Sequence, residues 1–203
     1  MGSNGSEKSL DSAIPMTDLA RPAVDHAGAD EHGEDGEILL AIRRGDRRAA
    51  LGLCARRHGP ALGRLCMALV GSGGEADDAV QETLLAAYAS FEGFRGEGSL
   101  RAWLFGIARR RCARVLERRG ATKAPREEAD LRTADELLDV RRRAEAARAL
   151  LERVRPTERE ALLLRYTAEL SFREVGEAIG VDEATARKRV SRGLARLREL
   201  TKE

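Results

Sequence analysis

The apolar residues from position 37 onward recur at the three-to-four-residue spacing of amphipathic helices. A first helix is predicted up to a Gly-Asp pair at residues 45–46, where the helical spacing breaks and then resumes. Another apolar stretch, over residues 62–69, follows Gly59-Pro60 and is predicted to start a new helical segment. No segment alternates as a half-buried strand would, so the chain is predicted to be all-α.

A glutamate three residues after a serine or threonine marks several predicted helix starts. In such a capping box the hydroxyl accepts from a backbone N–H, and the glutamate bonds back to the cap residue. The pairs with this spacing are Ser72 with Glu75, Thr133 with Glu136, Thr157 with Glu160, and Ser171 with Glu174. The glycine-rich residues 91–99 are predicted to form a loop ahead of a helix over residues 100–118.

Two small helical domains are predicted, because polar segments interrupt the apolar periodicity. Residues 1–35 are rich in Gly, Ser, Asp and Glu, and they bury too little apolar surface to offset ordering, which predicts a disordered tail. Residues 120–136 contain glycine, proline and mixed charges and are predicted to form a flexible linker. The predicted domains are therefore residues 36–119 and 137–203.

Charge is distributed unevenly along the chain. Residues 1–36 carry eight acidic and two basic side chains, a net charge of −6, whereas the whole chain carries +2. The remaining residues therefore carry +8. A basic body indicates a polyanionic partner such as nucleic acid, and a merely solvated charged surface is the alternative.

Residues 171–198 have the pattern of a helix-turn-helix. The short first helix ends at Gly180, which tolerates the positive φ of a turn, and Asp182 is placed to cap the second helix. One face of that helix is apolar, and the other carries hydroxyl and basic side chains suited to the major groove. The residues predicted to contact DNA are Thr185, Arg187, Lys188, Arg189, Ser191 and Arg192. An ordinary basic helix on the surface of a bundle is the alternative.

Candidate catalytic and metal-ligating residues are scattered. The three cysteines lack the spacing of a metal clip, and Cys54 and Cys66 lie among apolar residues, which predicts reduced core thiols. Two of the three histidines lie in the predicted tail, and His58 stands alone. No catalytic residue, metal site or cofactor is predicted. No signal peptide or membrane span is visible either, which predicts a cytoplasmic protein without membrane insertion.

Three segments resemble the extracytoplasmic-function (ECF) sigma factors of bacterial RNA polymerase. Residues 75–83, EADDAVQET, are similar to the polymerase-binding helix of that family. Residues 91–109, FEGFRGEGSLRAWLFGIAR, are similar to its segment that melts and reads the minus-ten promoter element, and residues 156–197 to its minus-thirty-five-reading domain. The resemblance covers roughly residues 37–199 outside the linker. It implies a region two-like helical bundle followed by a region four-like helix-turn-helix domain.

The resemblance also implies roles for individual residues. Those implied to bind core RNA polymerase share one helix face and are Asp78, Gln81 and Glu82. Those implied to bind minus-ten DNA lie in the glycine-rich loop and the helix after it, and are Phe94, Arg95, Ser99, Arg101, Arg109, Arg110 and Arg114. The family often has asparagine where Arg110 stands. The implied partners are core polymerase, promoter DNA and an anti-sigma factor, and Trp103 is predicted to pack in the core.

Two other functions are the alternatives to a sigma factor. A stand-alone helix-turn-helix regulator would bind duplex DNA tightly without polymerase, and it would leave the polar face around Gln81 without a role. A metal-dependent enzyme would need the scattered histidines to converge, although no nucleophile–base pair or phosphate loop is visible. The order of the two domains favours the sigma factor over both.

Overall fold

The computed structural model describes residues 35–96, 98–122 and 135–202, and within them the chain is almost entirely helical. The helices are α1 (Gly36–Arg43), α2 (Arg47–Val70), α3 (Gly73–Ser90), α4 (Leu100–Thr122), α5 (Asp135–Glu152), α6 (Pro156–Tyr166), α7 (Phe172–Ile179) and α8 (Glu183–Leu200), and a 3-10 helix (Phe91–Gly93) follows α3. No strand occurs in these residues, which confirms the all-α prediction. The predicted tail up to residue 34, residues 123–134 of the predicted linker and the cap at Thr133 lie outside the described residues.

Local cap signals correctly predicted the helix starts of the helix-turn-helix. The N–H of Glu174 donates to Ser171 Oγ at 3.2 Å, and the N–H of Ser171 donates to Glu174 Oε2 at 2.7 Å, so the predicted capping box is confirmed. The N–H of Thr185 donates to Asp182 Oδ1 at 2.7 Å, which confirms the predicted cap of α8.

Two other predicted capping boxes do not form. Ser72 stands at the N-cap of α3, but no backbone N–H donates to its side chain. The cap predicted at Thr157 is wrong, because the N-cap of α6 is Arg155, two residues earlier, and the helix begins at Pro156. Proline favours the first helical position, since its fixed φ suits a helix and its missing N–H would be unpaired there anyway.

The break predicted at Gly59-Pro60 is also wrong, because α2 continues through both residues. The residue before a proline is normally forced out of the helical region by a clash that involves its Cβ, and Gly59 has none. The lost backbone bond costs about 3 kcal/mol. Packing offsets this loss, because buried side chains such as His58 and Leu62 lie on both sides of Pro60.

The N-terminal half is a bundle in which α2, α3 and α4 pack around one core. All three cysteines are buried in it and form no disulfide, which confirms the prediction for Cys54 and Cys66. Trp103 packs partly buried against the core, with its ring centroid 5.9 Å from that of Phe91, in agreement with its predicted place. The predicted break at residues 45–46 separates α1 from α2.

The C-terminal half has the helix-turn-helix architecture that the sequence predicts. Gly180 ends α7 with a φ of 73°, in the left-handed region that favours glycine, and α8 follows directly. α8 crosses α6 closely at Gly193, where an added Cβ would lie 2.7 Å from Leu162 Cδ1. α6, α7 and α8 therefore form a small three-helix unit, which α5 contacts more lightly.

The two halves also pack against each other. α4 lies along α7 and α2 contacts α6, so the buried apolar residues of both halves form one continuous cluster. At the closest approach, a Cβ added to Gly106 would lie 3.2 Å from the carbonyl oxygen of Ala178. Among the described helices, none is both long and apolar enough to pass through a lipid bilayer.

Candidate nucleic-acid interface

α8 presents the predicted duplex-binding side chains on its outer face. Ala186 and Val190 point inward and are buried, which turns the positions between them outward. The exposed side chains among those predicted are Arg187, Lys188, Ser191 and Arg192. Thr185 and Arg189 are half-buried. The structure thus brings all six together on one helix, as the sequence predicts. Hydrogen bonds from Thr185 lower the pKa of Asp182, whose negative charge the N-terminus of α8 favours.

Phe172 orients one of these arginines through a contact that the sequence pattern does not predict. The guanidinium carbon of Arg187 lies 4.3 Å from the centroid of the Phe172 ring, and that of Arg165 lies 4.6 Å from it. Arg187 also donates to Glu183 Oε1 at 2.7 Å. Stacking on an aromatic face holds the planar guanidinium in one orientation. The residue types are visible in the sequence, but their contact depends on the angle between α7 and α8.

α4 carries the predicted arginine-rich surface. Arg110 and Arg114 are exposed. Partial burial, and then the charges of Arg109, Arg111 and Arg114, lower the pKa of Arg110. Neighbouring guanidinium groups repel one another, and a polyanion bound across them would relieve that repulsion. The surface is therefore suited to a phosphate backbone.

The loop before α4 is shaped by two glycines and an aromatic contact. Gly96 and Gly98 have φ values of 72° and 90°, which glycine adopts without strain. Phe94 is half-buried against Trp103, with the ring centroids 5.0 Å apart, whereas Arg95 is exposed. The loop therefore offers its backbone and one arginine to a ligand, and the predicted DNA-binding ring of Phe94 is partly covered.

Ser99, at the end of this loop, is bonded to the C-terminal half. Its N–H donates to Glu177 Oε2 at 2.9 Å, and its hydroxyl donates to Glu174 Oε1 at 2.8 Å. Gly98 lies so close that an added Cβ would be 2.9 Å from Glu177 Oε2. These contacts cover the loop from one side.

Two of the predicted DNA-binding arginines are bonded to the C-terminal half as well. Arg101 Nη2 donates to the carbonyl oxygens of Ala168 at 3.1 Å and Glu169 at 3.3 Å. Arg109 Nη1 donates to Glu160 Oε1 at 2.9 Å. The structure therefore divides the predicted minus-ten residues into an exposed group and a group that faces α6 and α7.

The predicted polymerase-binding face lies on α3. Asp78 and Gln81 are exposed, whereas Glu82 is half-buried and its Oε2 lies 3.6 Å from Arg111 Nη1. The structure thus keeps two of the three residues on the outer surface and turns the third toward α4.

An apolar groove between α2 and α3 adjoins this face. Gln81 lines it together with Leu51, Val80 and Leu84. Leu85 lies at its edge and is 58% exposed, more than the other exposed large apolar residues of the described chain. Such a patch beside polar groups is typical of a protein-binding surface. The hydrophobic pattern did not single out Leu85, because adjacent leucines on a helix do not indicate which one faces outward.

His58 has a place in the core. Its Nε2 lies 2.9 Å from Asp35 Oδ1, with both side chains buried, and its ring meets Phe105 edge-on with centroids 6.5 Å apart. Across the described ranges of the chain, no three His, Cys, Asp or Glu side chains cluster as a metal ion would require.

Comparison with known proteins gives matches in both halves. A family model described as Sigma-70 region 2 matches residues 54–122, and one described as Sigma-70, region 4 matches residues 144–197. The ECF RNA polymerase sigma factor SigM of Mycobacterium tuberculosis (strain ATCC 25618 / H37Rv) is 32% identical over 180 residues. That alignment covers 88% of this chain and 90% of SigM.

Two solved structures are similar to this chain. The structure of CnrH in complex with the cytosolic domain of CnrY matches with a TM-score of 0.67 at 24% identity, covering 83% of this chain and 97% of that one, which shows a shared fold. The sigma factor RpoE in complex with the anti-sigma factor NepR from Bartonella quintana matches with a TM-score of 0.56 at 26% identity, covering 80% and 98%.

Proposed function

Since the chain belongs to the ECF sigma factors, we propose that it binds core RNA polymerase and directs it to promoters as an alternative sigma factor. The observation that carries this proposal is the pairing, in one chain, of an arginine-rich region two-like half with a region four-like helix-turn-helix. We place the domains at residues 36–119 and 137–203, with a tail before them and a linker at 120–136, whose ends at residues 120–122 and 135–136 continue α4 and α5. The chain supplies recognition and the polymerase supplies catalysis, in the cytoplasm where the chromosome lies.

We assign duplex reading at the minus-thirty-five element to α8. Its exposed face fits the major groove, where a guanidinium can bond both acceptors on a guanine edge. Arg187, held by Phe172, is the residue best placed for such a contact. Lys188, Ser191 and Arg192 extend the same face toward neighbouring bases, with Thr185 and Arg189 near phosphates.

We assign the minus-ten strand to the loop before α4 and to the outer face of α4. Arg95, Arg110 and Arg114 are exposed and suited to phosphates. The loop backbone beside Phe94 is open enough for an unpaired base to approach. Ser99, Arg101 and Arg109 belong to the same surface and would join when their bonds to the C-terminal half open.

We assign polymerase binding to α3. Asp78, Gln81 and Glu82 give a polar, partly acidic surface, and Leu85 adds an apolar contact at its edge. An apolar contact beside polar groups matches the apolar centre and polar rim of protein interfaces. We also propose that an anti-sigma factor regulates the chain, because the chain is similar to RpoE, whose structure is known in complex with the anti-sigma factor NepR.

Run-off transcription with purified core polymerase tests the function. The template is a promoter identified by mapping transcript starts after overexpression. We expect a specific transcript, and we expect Arg187→Ala/Lys188→Ala to reduce it about tenfold or more, because base contacts are lost. The control is Arg198→Ala, an exposed arginine outside the proposed contact set. Tight duplex binding without any polymerase-dependent transcript would instead indicate a stand-alone regulator.

Retention on immobilised core polymerase tests the docking surface separately. Leu85→Glu places a charge at the edge of the groove and is expected to weaken retention about tenfold, because burying an unpaired charge is unfavourable. Leu116→Glu is the matched control, since Leu116 is also exposed, at 37%, but lies on α4. Equal retention of both variants would contradict the assignment of α3.

A further inference from the structure

Phe172 is held at the start of α7 by contacts on either side of it. Arg165 is buried, and its Nη1 donates to the carbonyl oxygen of Leu170 at 2.7 Å. The guanidinium carbon of Arg165 also lies 4.6 Å from the centroid of the Phe172 ring. Ser171, the neighbour of Phe172, forms the capping box with Glu174. The backbone around the ring is therefore fixed, and the ring is half-buried.

Arg187 reaches this fixed ring from α8. Its guanidinium carbon lies 4.3 Å from the ring centroid, and its Nη2 donates to Glu183 Oε1 at 2.7 Å. The ring restricts the tilt of the guanidinium plane, and the hydrogen bond restricts rotation within that plane. The Arg187 side chain nevertheless stays 52% exposed. The two contacts thus order a cationic group that is still available to a ligand.

An arginine that is ordered before binding is better suited to reading a base than a mobile one. A guanidinium recognises guanine by two parallel hydrogen bonds, to N7 and O6, and this requires a fixed orientation. Glu183 occupies only one N–H of the guanidinium, so others remain for a base. A side chain that is already ordered loses less freedom when these bonds form. The gain arises only where the bonds form, so it raises the preference for guanine rather than the affinity for every sequence.

We propose that Phe172 is a specificity-determining positioning residue: it orders the guanidinium of Arg187 so that α8 prefers guanine at one position of the minus-thirty-five element. This inference rests on the function proposed above, because it deepens the assignment of duplex reading to α8. Phe172 acts from α7, through Arg187 rather than on a base. Glu183 supplies the second restraint on the same guanidinium.

A ring that only packs would have a different effect on DNA binding. Its loss would reduce the folded fraction of the helix-turn-helix and weaken every DNA complex alike. A preference for one base over another is a ratio of two measurements on the same protein preparation, so a smaller folded fraction cancels from it. The preference at a single base pair therefore distinguishes positioning from packing.

Competitive run-off transcription with core polymerase and the full chain measures this preference. The templates are the mapped promoter and variants in which each base pair of its minus-thirty-five element is replaced in turn. A cation–π contact at an exposed site changes an equilibrium about two- to fivefold. We therefore expect Phe172→Leu, which removes the ring, to lower the preference for one guanine about two- to fivefold and to leave the other positions unchanged. Phe172→Tyr keeps the ring and is expected to retain the preference.

Arg187→Ala identifies the position that is read, because it should abolish the same preference. Adding Phe172→Leu to Arg187→Ala is expected to have no further effect at that position, since the ring then has no guanidinium to order. Tyr88→Leu is the matched control, because it removes a ring whose centroid lies 5.1 Å from the guanidinium carbon of Arg47, in the N-terminal half. An unchanged preference in Phe172→Leu, or an equal loss at all positions, would overturn the proposal.

NMR relaxation of the arginine Nε–H groups in the free chain separates failure of this inference from failure of the proposed function. We expect the Nε–H of Arg187 to be ordered in the wild type and mobile in Phe172→Leu. That result without any promoter-specific transcript from the wild type would support the ordering of Arg187 and remove the sigma-factor function. A specific transcript, with Arg187 equally ordered in both proteins, would support the function and overturn the positioning role of Phe172.

Discussion

Gly176 lies where α7 turns toward α8, and the turn leaves no space for a methyl group. An added Cβ would lie 2.7 Å from the carbonyl oxygen of Val181 and 3.3 Å from backbone atoms of Asp182. Backbone atoms cannot swing aside as a flexible side chain can. The identity of this residue is therefore dictated by the close return of the chain.

We expect Gly176→Ala to lower the free energy of unfolding by about 1–3 kcal/mol, the usual effect of overpacking. Gly63→Ala is the matched control, because Gly63 lies within α2 with nothing within 4 Å of an added Cβ. That change should stabilise the chain by about 0.5–1 kcal/mol, since alanine is the better helix former. Urea denaturation followed by helical circular dichroism measures both, and equal stabilities would contradict the packing described for the turn.

The buried thiol of Cys54 makes the stability of the folded chain depend on pH. Burial, and secondarily the negative charge of Asp35, raise its pKa from 9.0 to about 12. Above pH 9 the unfolded chain releases this proton and the folded chain retains it, so the unfolded state binds fewer protons. The stability contribution of the neutral thiol is thus complete below about pH 9 and is lost as the pH rises toward 12.

The comparison of wild type with Cys54→Ala isolates this effect from other groups that titrate at alkaline pH. We expect the stability advantage of the wild type to shrink between about pH 8 and about pH 10.5, measured by urea denaturation at each pH. A stability difference between wild type and Cys54→Ala that stays constant over this pH range would show that the thiol has the same pKa in the folded and unfolded states. Alkylation of Cys54 in the native chain is expected to be slow over the same range, because the reactive thiolate is scarce.

At the scale of elements, the N-cap residues differ in how much they stabilise the helices that follow them. Ser171→Ala removes the hydroxyl that accepts from the N–H of Glu174, and it is expected to cost about 1 kcal/mol. Ser72→Ala is the control, because the Ser72 side chain makes no cap bond, and its effect should stay within about 0.5 kcal/mol. Denaturation midpoints measure both changes. Similar losses in the two variants would mean that the capping box adds nothing to α7.

Local sequence signals predict a helix end well where a single backbone hydrogen bond or turn determines it. Gly180, Asp182 and the Ser171 box each act within four residues, and all three occur as the sequence predicts. Thr157 fails because proline competes for the same helix start, and Pro60 fails because tertiary packing outweighs a local breaker. In both cases the competing free energies are of similar size, so the local sequence pattern alone does not decide where the helix begins or ends.

The candidate site is also predictable only in part, because some of its features depend on local sequence and others on how the helices pack. The exposed face of α8 follows from helical periodicity, and the six predicted residues lie together there. The contact of Ser99 with Glu177 joins positions 78 residues apart, and no local pattern carries that information. The covering of the minus-ten surface, the stacking on Phe172 and the exposure of Leu85 all depend on how helices cross, which periodicity does not specify.

At the scale of the whole molecule, the packing of the two halves couples their stabilities. Ile107 of α4 and Ala178 of α7 belong to one buried cluster, so the wild type is expected to unfold in a single calorimetric transition. Gly106→Gln crowds the point of closest approach, because a Cβ there would lie 3.2 Å from the carbonyl oxygen of Ala178, and it is expected to weaken the contact between the halves. We expect this variant to show two transitions, or one broadened well beyond the wild type. The control is Glu199→Gln, an exposed residue of α8 away from the contact, which should keep the single transition. A sharp single transition in Gly106→Gln would mean that the halves stay coupled despite the crowding at this position.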